Sequence, residues 1–455
     1  MSLFSRAKKI VKKAAEKLPE VKEAVKAVAE SVAPSAAKPA GQKFDIYKDS
    51  PTRREIEKEI TNNSGEISII KLVELMMTYG YELRASDIHI EPESERLRIR
   101  FRIDGVMHDV FTFPKELHSE IITRIKVLSG LRIDEHQAAQ DGRFKVPIKE
   151  VGYVDVRVSI APTYYGENCV MRILADKTEQ FTLEKLGFEG TDLERIKEAV
   201  KKPYGMILAT GPTGSGKTTT LYTILKILNT PEVSIITIED PIEYSIEGAD
   251  QIQVNPKTGI TFAAGLRSIL RQDPNIIMVG EIRDEETASI AVNAALTGHL
   301  LLSTLHTNDA STSLPRLIDM KVEPFLIAST VNVIIGQRLL RRICDDCRVK
   351  IKIEPSEFEA LKLVVRPELL NDHKEFYKGK GCATCDDTGY KSRIGIHEVL
   401  LVDDEVREGI MRRASAAEIK KIAVKNGMRP ILEDAFEKAL KGSTTVEEIM
   451  RVIRE

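Results

Sequence analysis

The octapeptide Gly211-Pro212-Thr213-Gly214-Ser215-Gly216-Lys217-Thr218 fits the spacing G-x-x-x-x-G-K-[ST], in which glycines let backbone N–H groups curl around a phosphate. Lys217 is set to reach the β- and γ-phosphates of a nucleoside triphosphate, and Thr218 to ligate Mg²⁺. The candidate nucleotide contacts run from Gly211 through Thr219. Met206 to Thr210 reads as a buried strand before the loop, and Thr219 to Leu228 as a helix after it. That order aims a helix N-terminus at the phosphates.

A phosphate loop alone hydrolyses nothing; the chemistry needs a carboxylate near Mg²⁺ and another to orient water. Two segments offer them. In Thr237-Ile238-Glu239-Asp240-Pro241-Ile242-Glu243 a buried strand ends in three acids, and in Ile276-Ile277-Met278-Val279-Gly280-Glu281 a second strand delivers one more. Parallel strands of one sheet present such ends on the edge that holds the phosphate loop. The second segment has Gly280 where a Walker B strand usually has Asp, so Glu281 must act, through a water-bridged Mg²⁺ contact. Glu239, Asp240 and Glu243 can also be read as caps and loop ion pairs. His299 and His306 bracket the strand Leu300 to Thr304, too far apart for a short-spacing metal pair. At that strand end His306 could sense the γ-phosphate or serve the fold.

Cys344, Cys347, Cys382 and Cys385 form two C-x-x-C knuckles with 34 residues between them. Four thiolates at this spacing close a tetrahedron around a structural Zn²⁺. Flanking Arg341, Arg342, Arg348 and Lys380 suit a net-negative site. Cys169, alone in a strand, reads as a small core residue.

The elements that must position these groups follow from pattern and length. With 455 residues the chain needs three or four domains. Its 67 basic and 69 acidic residues give a net charge of −2, so nothing attracts nucleic acid globally, and no nucleic-acid partner is expected. No apolar run approaches the roughly 20 residues that span a bilayer, and the N-terminus lacks a signal-peptide core, so a cytoplasmic chain is expected. Residues 1–44 read as an amphipathic helix and a Pro/Ala tether, the helix basic through Arg6, Lys8, Lys9, Lys12 and Lys13. Such a helix suits a membrane surface, a docking partner or a solvated linker equally. Residues 45–185 mix helices (67–78, 115–129) with strands (97–103, 154–160, 169–174) as an α+β domain. Residues 186–340 alternate strands (206–210, 233–238, 276–279, 300–304) with helices, the pattern of an α/β doubly wound parallel sheet. The knuckles occupy 341–395, and 396–455 reads as short helices.

Taken together, several motifs resemble the secretion-superfamily ATPases that drive type II secretion and type IV pilus assembly. They are the phosphate loop, the Glu-Asp-Pro-Ile-Glu segment, Gly280-Glu281-Ile282-Arg283-Asp284, and Gly298-His299 through Leu305-His306-Thr307-Asn308. Ala85 to Pro92, Arg102-Ile103-Asp104-Gly105, Gln337-Arg338-Leu339 and the four cysteines extend the likeness over residues 65 to 450. The resemblance implies a homohexamer in which a PAS-like N-terminal domain, linked near 180–190, closes over ATP on a RecA-like P-loop core. It implies Glu243 as general base, Glu281 as Walker B acid and His306 as the site-proximal histidine. Arg157 and Arg172, with Arg143 as a weaker match, would complete the site from the N-terminal domain. The tetracysteine pattern points to pilus-extension and type II secretion ATPases rather than retraction ATPases. Only about 60 residues precede the α+β domain, where extension ATPases usually carry a docking domain; contact with an inner-membrane platform protein would then fall to the N-terminal helix. The expected function is ATP hydrolysis at the inner face of the cell membrane to power filament assembly. A DNA-translocating ATPase of the same superfamily and a nucleotide-gated scaffold without turnover are the competing readings.

Overall fold

The computed structural model describes residues 50–61, 67–149, 152–174, 181–352 and 375–454. The expected N-terminal helix and tether lie outside them, as does part of the linker near 180–190. The described chain falls into two units, one from Ser50 to Leu174 with Asp386–Thr388, the other comprising the remainder.

In the first unit, strands that largely alternate between buried and more exposed residues form one antiparallel sheet. They are β1 (Ala85–Pro92), β2 (Arg96–Ile103), β3 (Val106–Pro114), β4 (Gln140–Ile148), β5 (Gly152–Thr163) and β6 (Gly166–Leu174), ordered β3-β2-β1-β6-β5-β4. One face, with Ile88, Ile90, Leu97, Ile99 and Phe101, is fully buried among Leu72, Met76 and Tyr79 of the helix Ile69–Glu82 and Ile121 and Ile125 of the helix His118–Leu128. Gly80 permits that packing, because a Cβ there would come within 2.7 Å of the Ile88 side chain. Asp104 and Gly105 both take positive φ, 47° and 86°, the two-residue turn that matches the twist of a β-hairpin.

The second unit is built on a sheet whose central strands read as almost unbroken apolar runs because both their faces are covered. The strands of this unit are β7 (Gly205–Thr210), β8 (Ile235–Glu239), β9 (Ala249–Gln253), β10 (Ile276–Val279), β11 (Leu300–Leu305), β12 (Val331–Ile343) and, after the small ribbon of β13 (Arg348–Lys352) and β14 (Glu375–Gly379), β15 (Tyr390–Leu401). Every residue of β7, β8, β10 and β11 is buried. The sheet order is β15-β12-β7-β11-β10-β8-β9, parallel throughout except for β15. Helices Lys217–Leu228, Phe262–Ile269, Glu285–Leu296, Ala310–Asp319 and Pro324–Thr330 fill the crossovers.

The sheet does not end near residue 340, and 396–455 is not helical throughout as expected above: β12 and β15 pair antiparallel from Val333–Leu401 to Ile343–Tyr390. Ile394 to Leu401 is a short apolar run, which periodicity alone cannot assign to strand or helix. Helices Asp404–Met411, Ala416–Lys425, Ile431–Leu440 and Val446–Arg454 follow it.

Candidate functional site

The loop between β7 and the helix Lys217–Leu228 is shaped by three glycines with positive φ: Gly211 at 143°, Gly214 at 79° and Gly216 at 89°. At Gly211 close approach reinforces the choice, since a Cβ would lie 2.3 Å from the Gln337 carbonyl oxygen on β12. The Gln337 side chain completes the clamp. Its Nε2 donates to the Ser215 carbonyl at 2.7 Å, and its Oε1 accepts from Thr220 Oγ1 at 2.9 Å. Inside this cradle Lys217 Nζ donates to the Gly211 and Pro212 carbonyls at 2.8 and 3.1 Å. Burial pushes the Lys217 ammonium down from the usual lysine range, and Glu281 pulls the other way. Ser215 Oγ is buried without a hydrogen-bond partner. A glycine cradle, a buried ammonium held only by carbonyls and an orphaned hydroxyl together fit a phosphate chain. Thr218 and Thr219 open the helix half-buried beside it.

The parallel registers bring the acids to the same edge. Glu281, one residue past the Gly280 that follows β10, is buried, and its Oε2 accepts from His306 Nε2 at 2.6 Å and pairs with Arg283 Nε at 2.7 Å. Glu281 thus pairs with His306 and lies near enough to Lys217 for their charges to interact. His299 is at the other end of β11, its Nδ1 2.9 Å from the Ala294 carbonyl, where it anchors the end of a helix. Asp284 caps the helix Glu285–Leu296, its Oδ1 accepting from Thr287 N at 2.8 Å. In the other acidic segment Glu239 is buried and Asp240 exposed, while Glu243 is half-buried. Glu239 accepts hydrogen bonds from Thr237 Oγ1 at 2.6 Å, Gln251 Nε2 at 3.1 Å and the Tyr222 hydroxyl. Burial raises its carboxyl above the ordinary range, against those bonds.

The four cysteine sulfurs lie within 4.8 Å of one another. Three separations, Cys344–Cys382 at 3.8 Å and Cys347–Cys385 and Cys382–Cys385 at 3.7 Å, match the edge of about 3.8 Å in a zinc–thiolate tetrahedron. The Gly389 N–H points at Cys385 Sγ from 3.3 Å. Three of the four flanking cations have partners other than the thiolates, one of them within the first knuckle. Arg341 is held by Glu448 at 2.9 Å, Arg342 by Asp345 at 2.9 Å, and Arg348 reaches the Gly442 carbonyl at 3.4 Å. Cys169 is fully buried in β6.

In the first unit, Arg143, Arg157, Arg172, Asp87 and Arg102 stand in one cross-strand row, each opposite the next. Arg172 Nε donates to Asp87 Oδ1 at 2.9 Å, and Arg102 Nε lies 3.3 Å from Asp87 Oδ2. Arg143 pairs with Asp155 at 2.9 Å. Asp87, buried between two guanidinia, was visible in the sequence only as part of Ala85 to Pro92. Gln337 was likewise visible only inside Gln337-Arg338-Leu339, and Tyr222 and Gln251 gave no signal.

The family described as type II/IV secretion system protein matches residues 62–451. The type IV pilus assembly ATPase PilB of Thermus thermophilus is 46% identical over 400 residues, which cover 88% of this chain and 44% of that protein. The type II secretion system protein E of Xanthomonas campestris pv. campestris is 47% identical over 394 residues, 86% of this chain and 68% of that protein. The chain thus spans less than half of the first relative's length and about two thirds of the second's. Among solved structures, the pilus retraction motor PilT with bound ADP aligns at 25% identity with a TM-score of 0.57, over 83% of this chain and 96% of that one. The ATPase DotB of Legionella pneumophila, at 22% identity and a TM-score of 0.63, over 87% of this chain and 98% of that one, shares the fold.

Proposed function

This chain belongs to the type II/IV secretion system protein family, and we propose that it is a motor ATPase powering assembly of a type IV pilus or a type II secretion pseudopilus. The reading is carried by one observation. Lys217, Glu281 and His306 converge on a glycine cradle at the ends of parallel strands, in a chain whose relatives are named as pilus assembly and secretion proteins.

The chemistry assigned to each group follows from its setting. ATP enters the cradle, and Lys217 exchanges two carbonyl acceptors for β- and γ-phosphate oxygens. Mg²⁺ held at Thr218 would neutralise phosphate charge. Glu281 would help to hold it through water, with His306 reporting the γ-phosphate through its bond to Glu281. Glu243 orients the attacking water and takes its proton, giving ADP and phosphate. Arg157 and Arg172, supplied by a PAS-like domain over 45–185, stabilise charge on the transferring phosphoryl group of a RecA-like core over 186–340. Hexamerisation brings the subunits' sites under common control, and an inner-membrane platform protein receives the work. Among the described residues no helix is long and apolar enough to cross a membrane. The proposed place of action is the cytoplasmic face of that membrane. Cys344, Cys347, Cys382 and Cys385 would hold a structural Zn²⁺, with about one zinc per chain released on thiol modification.

The test is ATP turnover against protein concentration, with Glu243→Gln and added duplex DNA as arms. Turnover that rises with assembly, ignores DNA and falls about 10²-fold in Glu243→Gln with ATP still bound supports the motor. Stimulation by DNA would make it a translocase, and ATP binding without turnover a nucleotide-gated scaffold.

A further inference from the structure

Beyond the groups placed against ATP, a second set of polar side chains governs the segment that carries Glu243. We propose that Gln251, Glu239 and Tyr222 are positioning residues that fix Glu243 relative to the helix beginning at Lys217, and so set the rate of turnover. The inference rests on the reading of Glu243 as the residue that orients water.

The bonds run as a closed circuit around the segment. Gln251 on β9 stands opposite Thr237 on β8. Its Nε2 donates to Glu239 Oε1 and to the Tyr244 carbonyl, both at 3.1 Å, and its Oε1 accepts from the Ile246 N–H at 2.7 Å. One amide thus holds the chain on both sides of Glu243. Tyr222 holds the middle. Its hydroxyl donates to Glu239 Oε2 and lies 3.5 Å from Gln251 Nε2, with the Glu243 backbone N–H facing the phenol oxygen. The Tyr222 ring also meets the Tyr244 ring edge-on, with centroids 4.4 Å apart.

Tyr222 is the sixth residue of the helix that starts at Lys217, so the circuit ties the Glu243 backbone to the element that carries the phosphate loop. Burying Glu239 for this purpose is costly, and burial shifts its carboxyl upward accordingly. An apolar contact would anchor the segment more cheaply but would tolerate several loop positions. Directional bonds at the Tyr244 carbonyl and the Ile246 N–H tolerate one.

The experiment uses Gln251→Met, which keeps the side-chain volume at a half-buried edge position, and Tyr222→Phe as an independent second variant. Each is measured for kcat, for affinity toward a non-hydrolysable ATP analogue and for thermal stability, alone and combined with Glu243→Gln. The expected result is a loss of about tenfold in kcat with affinity changed by less than about twofold. That loss should vanish in the Glu243→Gln background, because a positioning effect needs the group it positions. Unchanged kcat in both single variants overturns the proposal. So does a loss that multiplies fully with Glu243→Gln, or one that tracks affinity and melting temperature. Wild-type turnover in Glu243→Gln alone would instead remove the base assignment on which the inference rests.

Discussion

Two groups of buried charge in the second unit invite comparison, one at the phosphate loop and one where β15 meets the helix Ile431–Leu440. Burial moves the titrating groups of both away from their ordinary values. It lowers Lys217 in the first and Lys438 and His397 in the second, where it also raises Asp192. Perturbation alone therefore does not mark the functional site. The partners do. Lys438 Nζ is 2.6 Å from Asp434 Oδ2, which also accepts the His397 N–H at 2.7 Å. Arg429 Nη2 lies 2.7 Å from Asp192 and 2.9 Å from Asp434, and Phe188 is stacked on His397. Both cations of this cluster reach carboxylates, and two of these, Asp192 and Asp434, are at most 1% exposed. Lys217 ends on two loop carbonyls, while the His306 side chain beside it is 43% exposed. A sealed, charge-matched cluster holds elements together, whereas an open one with unmatched positive charge waits for an anion.

The contrast is most sharply tested at one residue of each group. Lys217→Ala should cut ATP turnover about 10³-fold while leaving the melting temperature nearly unchanged, as read by a coupled assay and calorimetry. A large loss of stability instead would place Lys217 with the structural cluster. Asp434→Ala should do the reverse. Removing the carboxylate shared by Arg429 and Lys438 costs about 3–5 kcal/mol in urea unfolding, with nucleotide affinity of the folded protein retained. The smallest effect concerns Glu448, whose hydrogen bonds from Arg451 and Arg341 outweigh burial and hold its carboxyl down at about 2. A depressed folded-state value stabilises above the unfolded value, so the roughly 3 kcal/mol involved is present at neutral pH and lost as pH falls from about 4.5 toward 2. The stability gap between wild type and Glu448→Gln should close over that window; a gap independent of pH would remove the ionic account.

Legibility followed the range of the interactions involved. The phosphate loop, β10 with Glu281 and the cysteine knuckles were readable because each is written in a few adjacent residues. His306 could be singled out, but its bond to Glu281 depends on the parallel pairing of β10 and β11. Gln337 was unreadable as a clamp, since it meets Ser215 across 122 residues. The Arg429 cluster was equally hidden, since Asp192 is 237 residues away from its partner. β15 was missed for a related reason. Its identity as a strand is fixed by β12, not by its own alternation.

The short strand β9 closes one margin of the sheet with only five residues, Asp250 and Gln253 among them pointing into solvent. A long flat margin there would offer a row of free N–H and C=O groups to any extended peptide. Five residues with outward polar side chains give a poor template for such recruitment. The same short strand that carries Gln251 toward Glu239 thus also protects the chain against edge-to-edge aggregation.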